Sequence, residues 1–184
     1  MGTLAGERIM RALLLSLVLT LGACSSTDVQ EYAGNEPALT LEDFFQGSLT
    51  AHGVLKSRGG TVTRYFNATI EASWDDEGVG RLAERFEFDD GEIQHRNWTL
   101  EPQEDGSYKA TAGDVIGEGR AETSGNALKM DYVLEVDYKD RKLALNVEDW
   151  MWRVDEDTII NQSTLRKWGF RVGTIQLTII RQRD

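Results

Sequence analysis

The stretch LKMDYVLEVDY (residues 128–138) decides the fold class of this chain. Apolar residues alternate with polar or charged ones through it, with Val133 as the exception, and a period of two is typical of a β-strand with one buried face. The residues KDR (139–141) follow and predict a hairpin turn, and the alternation resumes over residues 143–148. The sequence therefore predicts two long antiparallel strands here.

The same alternation recurs from Phe44 to the C-terminus. Clusters of Asp, Asn, Ser and Gly separate the alternating runs, and such clusters supply the backbone conformations that tight hairpins require. They lie at residues 57–60, 75–78, 89–91, 104–106 and 124–126. No segment has a convincing helical period, although residues 39–45 allow one turn before the first strand. We predict an all-β chain: a single antiparallel up-and-down β-barrel of about nine or ten strands, since closure removes exposed sheet edges.

The N-terminus carries the features of an export signal. Arg8 and Arg11 precede an apolar run over residues 12–21, which is about half the roughly 20 residues that a membrane-spanning helix needs. The run ends in Leu-Gly-Ala-Cys, so a thiol follows small residues at the expected cleavage site. We predict a lipoprotein signal peptide over residues 1–23 and lipid attachment, palmitate included, at Cys24. Whether translation starts at Met1 or at Met10 stays open.

These features divide the chain into three parts. Residues 1–23 are the signal peptide, residues 24–43 are polar and mixed and are predicted to form a lipidated flexible tether, and residues 44–184 form the β-barrel domain. Acyl chains would hold the protein on a membrane without a spanning segment. In the lipoproteins that this signal resembles, Ser25 after the cysteine goes with the outer membrane, so we expect an outer-membrane lipoprotein facing the periplasm.

The composition restricts the partners and the chemistry. The net charge is −11 for the whole chain, and removal of residues 1–23 leaves −12. Such acidity argues against nucleic acid, and against anionic lipid headgroups, as direct partners. Once Cys24 is acylated no thiol remains, so no disulfide, thiolate metal site or cysteine nucleophile is expected. We expect no cofactor apart from the covalent lipid, and no metal.

Eight short motifs occur in a characteristic order. They are Phe45-Gln46-Gly47, Glu84-Arg85-Phe86, Asp90-Gly91, Arg96-Asn97-Trp98, Asp114-Val115-Ile116-Gly117, Gly125-Asn126-Ala127, Asp149-Trp150-Met151 and Asn161-Gln162-Ser163. Over residues 44–182 the chain thereby resembles the bacterial lipoprotein family known as domain of unknown function 3833 (DUF3833). The resemblance implies a calycin-like barrel, similar in architecture to lipocalins, and an envelope location; it implies no reaction.

Two charged residues fall on apolar strand faces. Arg64 shares a face with Phe66 and Ile70, and Glu84 shares a face with Leu82 and Phe86. A lone buried charge is costly, so each must be paired, hydrogen-bonded or hydrated. We expect Arg64 and Glu84 to project into the barrel lumen and to orient a ligand. An internal ion pair, or a wet position near the barrel mouth, is the alternative.

A second candidate cluster combines aromatic and charged residues: His95, Arg96 and Trp98 with Asp149, Trp150 and Trp152. Trp and Arg are favoured in binding sites because they join large contact area to directed polar groups. The alternative is that the tryptophans belong to the core or plug the barrel end. A phosphate-binding Gly-rich loop, an HExxH motif and a nucleophile elbow are all absent from the sequence, so no convincing catalytic constellation is found.

We therefore predict a barrel that binds a small hydrophobic ligand in its lumen. Small inward residues leave room for it, namely Ala51, Gly53, Ala68, Ala72, Ala110 and Ala112. The first alternative is a structural or interaction lipoprotein with a filled barrel and an exposed apolar patch; its protein partners stay open. An enzyme that acts on lipid or envelope material through His95 or Asp149 ranks below both.

Overall fold

The structure, a computed structural model, describes residues 27–183. The predicted signal peptide, the lipid attachment at Cys24 and the choice between Met1 and Met10 lie outside the described residues. Within residues 27–183, no helix combines the length and the apolar character needed to cross a membrane.

Ten antiparallel strands close into one barrel, in which each strand pairs with its neighbours in sequence and β1 pairs with β10. The strands are β1 Gly47–Ser57, β2 Val62–Trp74, β3 Gly80–Phe88, β4 Ile93–Pro102, β5 Tyr108–Thr111, β6 Gly119–Ser124, β7 Ala127–Tyr138, β8 Arg141–Arg153, β9 Thr158–Lys167 and β10 Phe170–Arg181. A 3₁₀ turn, Val29–Tyr32, and one short helix, α1 Leu41–Phe44, precede them. The predicted all-β up-and-down barrel of nine or ten strands is confirmed.

The longest pairing joins β7 to β8, and it follows the sequence pattern. Leu128, Met130, Tyr132 and Leu134 are buried on one face of β7, whereas Asp131 on the other face is exposed. Successive side chains of a strand point to opposite faces, so one face of every strand lines the lumen. The inward residues of all the strands form a single hydrophobic core cluster.

The barrel wall is irregular beside β4. Strands β5 and β6 have only four and six residues, and the chain between them covers the wall by pairing with β7 instead. The Ile116 amide donates to the Val133 carbonyl, and the Glu135 amide donates to the Asp114 carbonyl, both at 2.8 Å. This connection brings Asp114 opposite the inward residues of β4. The sequence pattern predicts no strand in the connection itself.

Helix α1 closes one end of the barrel. Leu41 and Phe44 are almost fully buried, and the Trp74 indole donates a 2.7 Å hydrogen bond to the Phe45 carbonyl. The Arg153 guanidinium donates to the Ala38 carbonyl and to the Asp43 carboxylate at 2.8 and 3.0 Å. Leu41 and Phe44 thus form an apolar plug at this end, with the hydrogen bonds of Trp74 and Arg153 around it. The opposite end has no such cover among the described residues.

The predicted flexible tether over residues 24–43 is wrong for residues 28–43. Asp28 caps the 3₁₀ turn, and Val29 is buried against Ala127 and Trp150 on the outside of the barrel. Leu39 is buried in the main core. The segment is polar on average, but Val29 and Leu39 are each buried against the barrel, and an average over composition does not reveal that.

The plug gives a first prediction. Phe44→Ala removes a fully buried ring at the barrel end, so the free energy of unfolding should fall by about 3–5 kcal/mol in urea titrations. Phe170→Ala is the matched control because that ring is 66% exposed, and its effect should stay within about 0.5 kcal/mol. Equal losses in the two variants would show that α1 does not seal the barrel.

Candidate functional site

The barrel encloses a cavity of about 670 Å³. Most of its lining is apolar and comes from inward positions of β1, β2, β3, β7, β8, β9 and β10: Ala51, Leu55, Phe66, Ile70, Phe86, Met130, Leu134, Leu145, Leu165, Ile175 and Leu177. The cavity extends to the end opposite α1, where Phe88, Glu92 and Lys142 also line it. The site is therefore a lumen with one plugged end and one mouth.

Arg64 lies at this mouth. Its Nη2 is 2.7 Å from Asp90 Oδ1 and 2.8 Å from Glu92 Oε2, both in the β3–β4 hairpin. Its guanidinium carbon is 3.7 Å from the centre of the Phe88 ring. Arg64 thus lines the lumen as predicted, but its ion pairs are with the hairpin and not with Glu84. The alternative of a wet position near the mouth describes Arg64 better than an internal ion pair.

Glu84 lies deeper, on β3. Its side chain is only 14% exposed, and Oε2 has no hydrogen-bond partner among the described residues. The nearest cation is Arg96, whose Nη1 is 4.0 Å from that oxygen. Burial raises the pKa of Glu84 from 4.5 to about 7, the Arg96 cation opposes this rise, and the negative charge of Asp149 adds to it. Glu84 therefore exchanges its proton near neutral pH.

Arg96 joins two parts of the barrel wall. Its Nε lies 2.9 Å from Asp114 Oδ2, and its Nη2 lies 2.8 Å from the same atom. Asp114 belongs to the irregular connection between β5 and β6, so this ion pair ties that connection to β4. The Nη1 group of Arg96 remains directed toward Glu84. One guanidinium thus serves two carboxylates, and the closer contact is with Asp114.

Asp149 supplies a second buried carboxylate, on β8. Its Oδ1 accepts hydrogen bonds from Asn161 Nδ2 at 2.5 Å and from Ser163 Oγ at 2.8 Å, both on β9. Burial raises the pKa of Asp149, although these two hydrogen bonds oppose the shift. Trp98 and Tyr132 pack edge to face beside this cluster, with ring centres 5.2 Å apart. Burial also raises the pKa of Tyr132, which keeps its hydroxyl neutral.

The structure brings together four of the predicted site residues, Glu84, Arg96, Trp98 and Asp149, which all line the cavity. We call this group, with Asp114, Tyr132, Asn161 and Ser163, the lumen cluster. It holds one cation, three carboxylates and several neutral hydrogen-bonding groups inside apolar walls. Such a set can orient one polar end of a ligand and can take up or release one proton at Glu84.

Arg64, which lies at the mouth, is outside the lumen cluster, and so are His95, Trp150 and Trp152. His95 is exposed, and it borders the mouth end of the cavity beside the inward Gln94 on β4. Trp150 lies on the outer face, stacked on Trp152 with ring centres 5.9 Å apart and covered by Tyr32. The sequence analysis grouped Trp150 with Asp149 by proximity in sequence, although neighbours on a strand face opposite sides.

Four members of the lumen cluster were not predicted as site residues. Asn161 and Ser163 share one face of β9 with the buried Ile159 and Leu165. The signal that identified Glu84, a polar residue on an apolar face, would have found them. The alternation over residues 128–138 indicates only that Tyr132 is a core aromatic residue. Asp114 lies in a connection without periodicity, so only the folded wall reveals its contact with Arg96.

The small inward residues leave less space than their sizes imply. Ala51 lines the cavity, but Gly53 is covered: a Cβ atom added there would lie 2.5 Å from the Phe66 ring and 2.6 Å from Leu177. The open volume of the lumen instead lies between large apolar side chains. Within residues 27–183, no group of three or more His, Cys, Asp or Glu side chains is placed to hold a metal ion.

The buried position of Glu84 predicts a dependence of stability on pH. Above about pH 4.5 the unfolded chain ionises this carboxyl, whereas the folded protein keeps it protonated until about pH 7. The wild type therefore loses stability as pH rises through this window. Glu84→Gln cannot ionise, so its stability relative to wild type should increase by up to about 3 kcal/mol between the two ends of the window.

Denaturant titrations across this pH range measure the difference in unfolding free energy. Glu87→Gln, on the outer face of the same strand, is the control for loss of a carboxylate on β3. A Glu84→Gln difference that stays constant with pH would contradict the assignment of a buried, proton-exchanging carboxyl.

Comparisons with known proteins agree with this architecture. No curated protein sequence matches the chain. Among solved structures, the S-type phycobiliprotein lyase from Guillardia theta is similar, with a TM-score of 0.59 and 15% identity over 79% of this chain and 94% of that one. A protein with unknown function from the DUF3598 family of Nostoc punctiforme is also similar, with a TM-score of 0.55 and 17% identity over 79% of this chain and 50% of that one.

At these identities the two likenesses concern the fold alone. The family comparison covers more of the sequence: the model described as protein of unknown function (DUF3833) matches residues 18–181. The lumen cluster, the plug and the mouth all lie inside that range. The chain belongs to the DUF3833 family.

Proposed function

We propose that this protein is a lipid-anchored envelope protein whose barrel binds one small, mostly apolar molecule in its lumen. The observation that carries the proposal is the cavity of about 670 Å³, closed at one end by α1 and open at the other. Cavities that hold small ligands measure about 300–1,000 Å³ and have mainly apolar walls with a few polar groups. The volume of the lumen falls in this range, and its polar residues are gathered in the lumen cluster and at the mouth.

The distribution of side chains indicates how a ligand would lie. Apolar residues from both sides of the barrel surround the middle of the cavity, so an apolar body fits there. The lumen cluster provides hydrogen-bonding groups in the interior, and Arg64 with Glu92 provides charged groups at the mouth. A molecule with an apolar body and one polar group would use both environments, and its polar group would fix its orientation.

The same cavity distinguishes this proposal from the alternative of a filled structural barrel. A scaffold needs no internal space, and empty apolar volume lowers stability because its lining loses packing contacts. Burial of Glu84, Arg96 and Asp149 is a further cost to folding. These costs are expected where an interior is adapted to a ligand, so the ligand-binding role is favoured over the filled scaffold.

The envelope location rests on the sequence. Arg8 and Arg11, the apolar run over residues 12–21 and the thiol of Cys24 together support cleavage and acylation, and Ser25 supports the outer membrane. We propose that the acyl chains at Cys24 keep the barrel at the periplasmic surface of that membrane. In this position the barrel would hold its apolar ligand away from water close to lipid.

The ligand-binding proposal predicts a co-purifying molecule. Native mass spectrometry of protein isolated from its own host should show one additional small mass per chain, released on denaturation. Leu55→Trp adds bulk inside the cavity and should abolish this mass, whereas Val54→Trp, on the outer face of the same strand, should retain it. Thermal unfolding would verify that both variants fold. Protein repeatedly recovered without an additional mass would overturn the proposal.

The anchoring proposal predicts a different readout. Cells grown with a palmitate analogue should label the wild type, and the protein should sediment with membranes. Cys24→Ala should lose the label and leave the membrane fraction, while Cys24→Ala and wild type should share the same barrel stability. Membrane retention and labelling that persist without Cys24 would contradict acylation at this residue.

A further inference from the structure

Three neighbouring hairpins project from one side of the barrel mouth. They connect β1 to β2, β9 to β10 and β7 to β8, and these strands are adjacent in the barrel order. We call residues 56–60, 137–142 and 166–172 together the basic rim. In an up-and-down barrel, alternate hairpins lie at the same end, so the basic rim lies at the mouth and opposite the plug formed by α1.

The basic rim has a charge opposite to that of the whole protein. Its 18 residues contain eight cations and two anions, Asp137 and Asp140, although the chain as a whole has 20 Lys and Arg against 31 Asp and Glu. The cations are Lys56, Arg58, Lys139, Arg141, Lys142, Arg166, Lys167 and Arg171. The β3–β4 hairpin, on the other side of the mouth, carries Glu87, Asp89, Asp90 and Glu92 instead.

Large apolar side chains are exposed among these cations. Trp168 is 83% exposed, Phe170 is 66% exposed and Tyr138 is 48% exposed. Trp168 also has a φ of 50°, a left-handed conformation that is costly for a bulky residue and that hairpin turns usually assign to Gly or Asn. The fold thus places an indole in water at a strained position, and such strain is a marker of function.

We propose that the basic rim docks on the surface of a bilayer that contains anionic lipids. Trp and Tyr side chains are favoured at membrane interfaces because one end of the ring is apolar and the other polar. Clustered Lys and Arg are attracted to anionic headgroups. The sequence-based expectation that anionic headgroups are not partners used the net charge, and it overlooked that the cations are concentrated in three hairpins.

A membrane fits these hairpins better than an acidic protein does. Trp168 and Phe170 stand at the tip of a single hairpin, with Lys167 and Arg171 directly beside them in sequence. A protruding tip of this kind can insert its rings below a layer of headgroups while the cations remain at the headgroup level. A protein interface instead buries a continuous patch of about 800 Å² on each partner.

The N-terminal segment lies on the same flank of the barrel. The 3₁₀ turn Val29–Tyr32 packs on Trp150 and Trp152 of β8, which is the neighbour of β9. Cys24 precedes Asp28 by four residues, a span of at most about 14 Å. Trp150 and Trp152 lie near the plugged end of β8, so a lipid at Cys24 does not by itself place the mouth beside the membrane surface. The docking itself depends on neither the lipid nor a lumenal ligand.

Fluorescence quenching tests this proposal on the intact protein purified from its host and reconstituted into vesicles. One set of vesicles contains phosphatidylcholine only, the other adds phosphatidylglycerol, and both carry lipids brominated in the acyl chains. Tryptophan emission should be quenched more in the phosphatidylglycerol vesicles, and Trp168→Ser should remove this difference. Arg171→Glu removes one positive charge and adds one negative charge. Each change should weaken membrane binding roughly fivefold, so the docked population should fall about 30-fold.

Arg81→Glu is the matched control, because it makes the same charge change at an exposed site near the plugged end. It should leave the quenching unchanged. Equal quenching in the two types of vesicle would overturn the proposal, whether or not the lumen binds a ligand. Self-association through Trp168, detected by sedimentation in detergent and without lipid-dependent quenching, would assign the rim to a second copy of the chain and would equally contradict docking on lipid.

Discussion

Closure of the sheet is the constraint on which the other features depend. In a closed antiparallel barrel a strand residue has two destinations, the lumen or the outer surface, and its neighbour takes the other. This rule places Arg96 inside and its neighbour Asn97 outside, and it separates Asp149 from Trp150. It also assigns the two aromatic groups different roles. Trp98 belongs to the lumen cluster, whereas Trp150 and Trp152 hold the N-terminal turn Val29–Tyr32 against the outer wall of the barrel.

The lumen cluster is costly for folding, and its arrangement limits the cost. Arg96 is neutralised mainly by Asp114, Asp149 is stabilised by two neutral donors on β9, and Glu84 avoids a full charge because burial favours its protonated form. Apolar residues would fill the same positions without these compensations. The polar interior and the open volume beside it are therefore best explained together, as a site for a molecule with one polar group.

The sequence predicted more of the fold than of the site. Alternation over residues 128–138, and turns at Asp and Gly clusters, lead directly to the strands and hairpins, because register in a one-sided sheet follows the hydrophobic pattern. Glu84 was identified by the same rule. Asp114 was not, because the wall beside β4 is closed by tertiary pairing with β7. The plug at Phe44 and the niche of Val29 depend likewise on contacts distant in sequence, which composition does not encode.

We propose that the lumen binds one small, mostly apolar molecule. Methyl NMR spectra of the protein, recorded before and after addition of a lipid extract from its host, test this claim most directly. We expect shifts for methyl groups that line the cavity, such as those of Met130, Leu134 and Leu177, while the outward Val133 on β7 stays unchanged. Unchanged inward methyl groups, or shifts confined to outward ones, would contradict it.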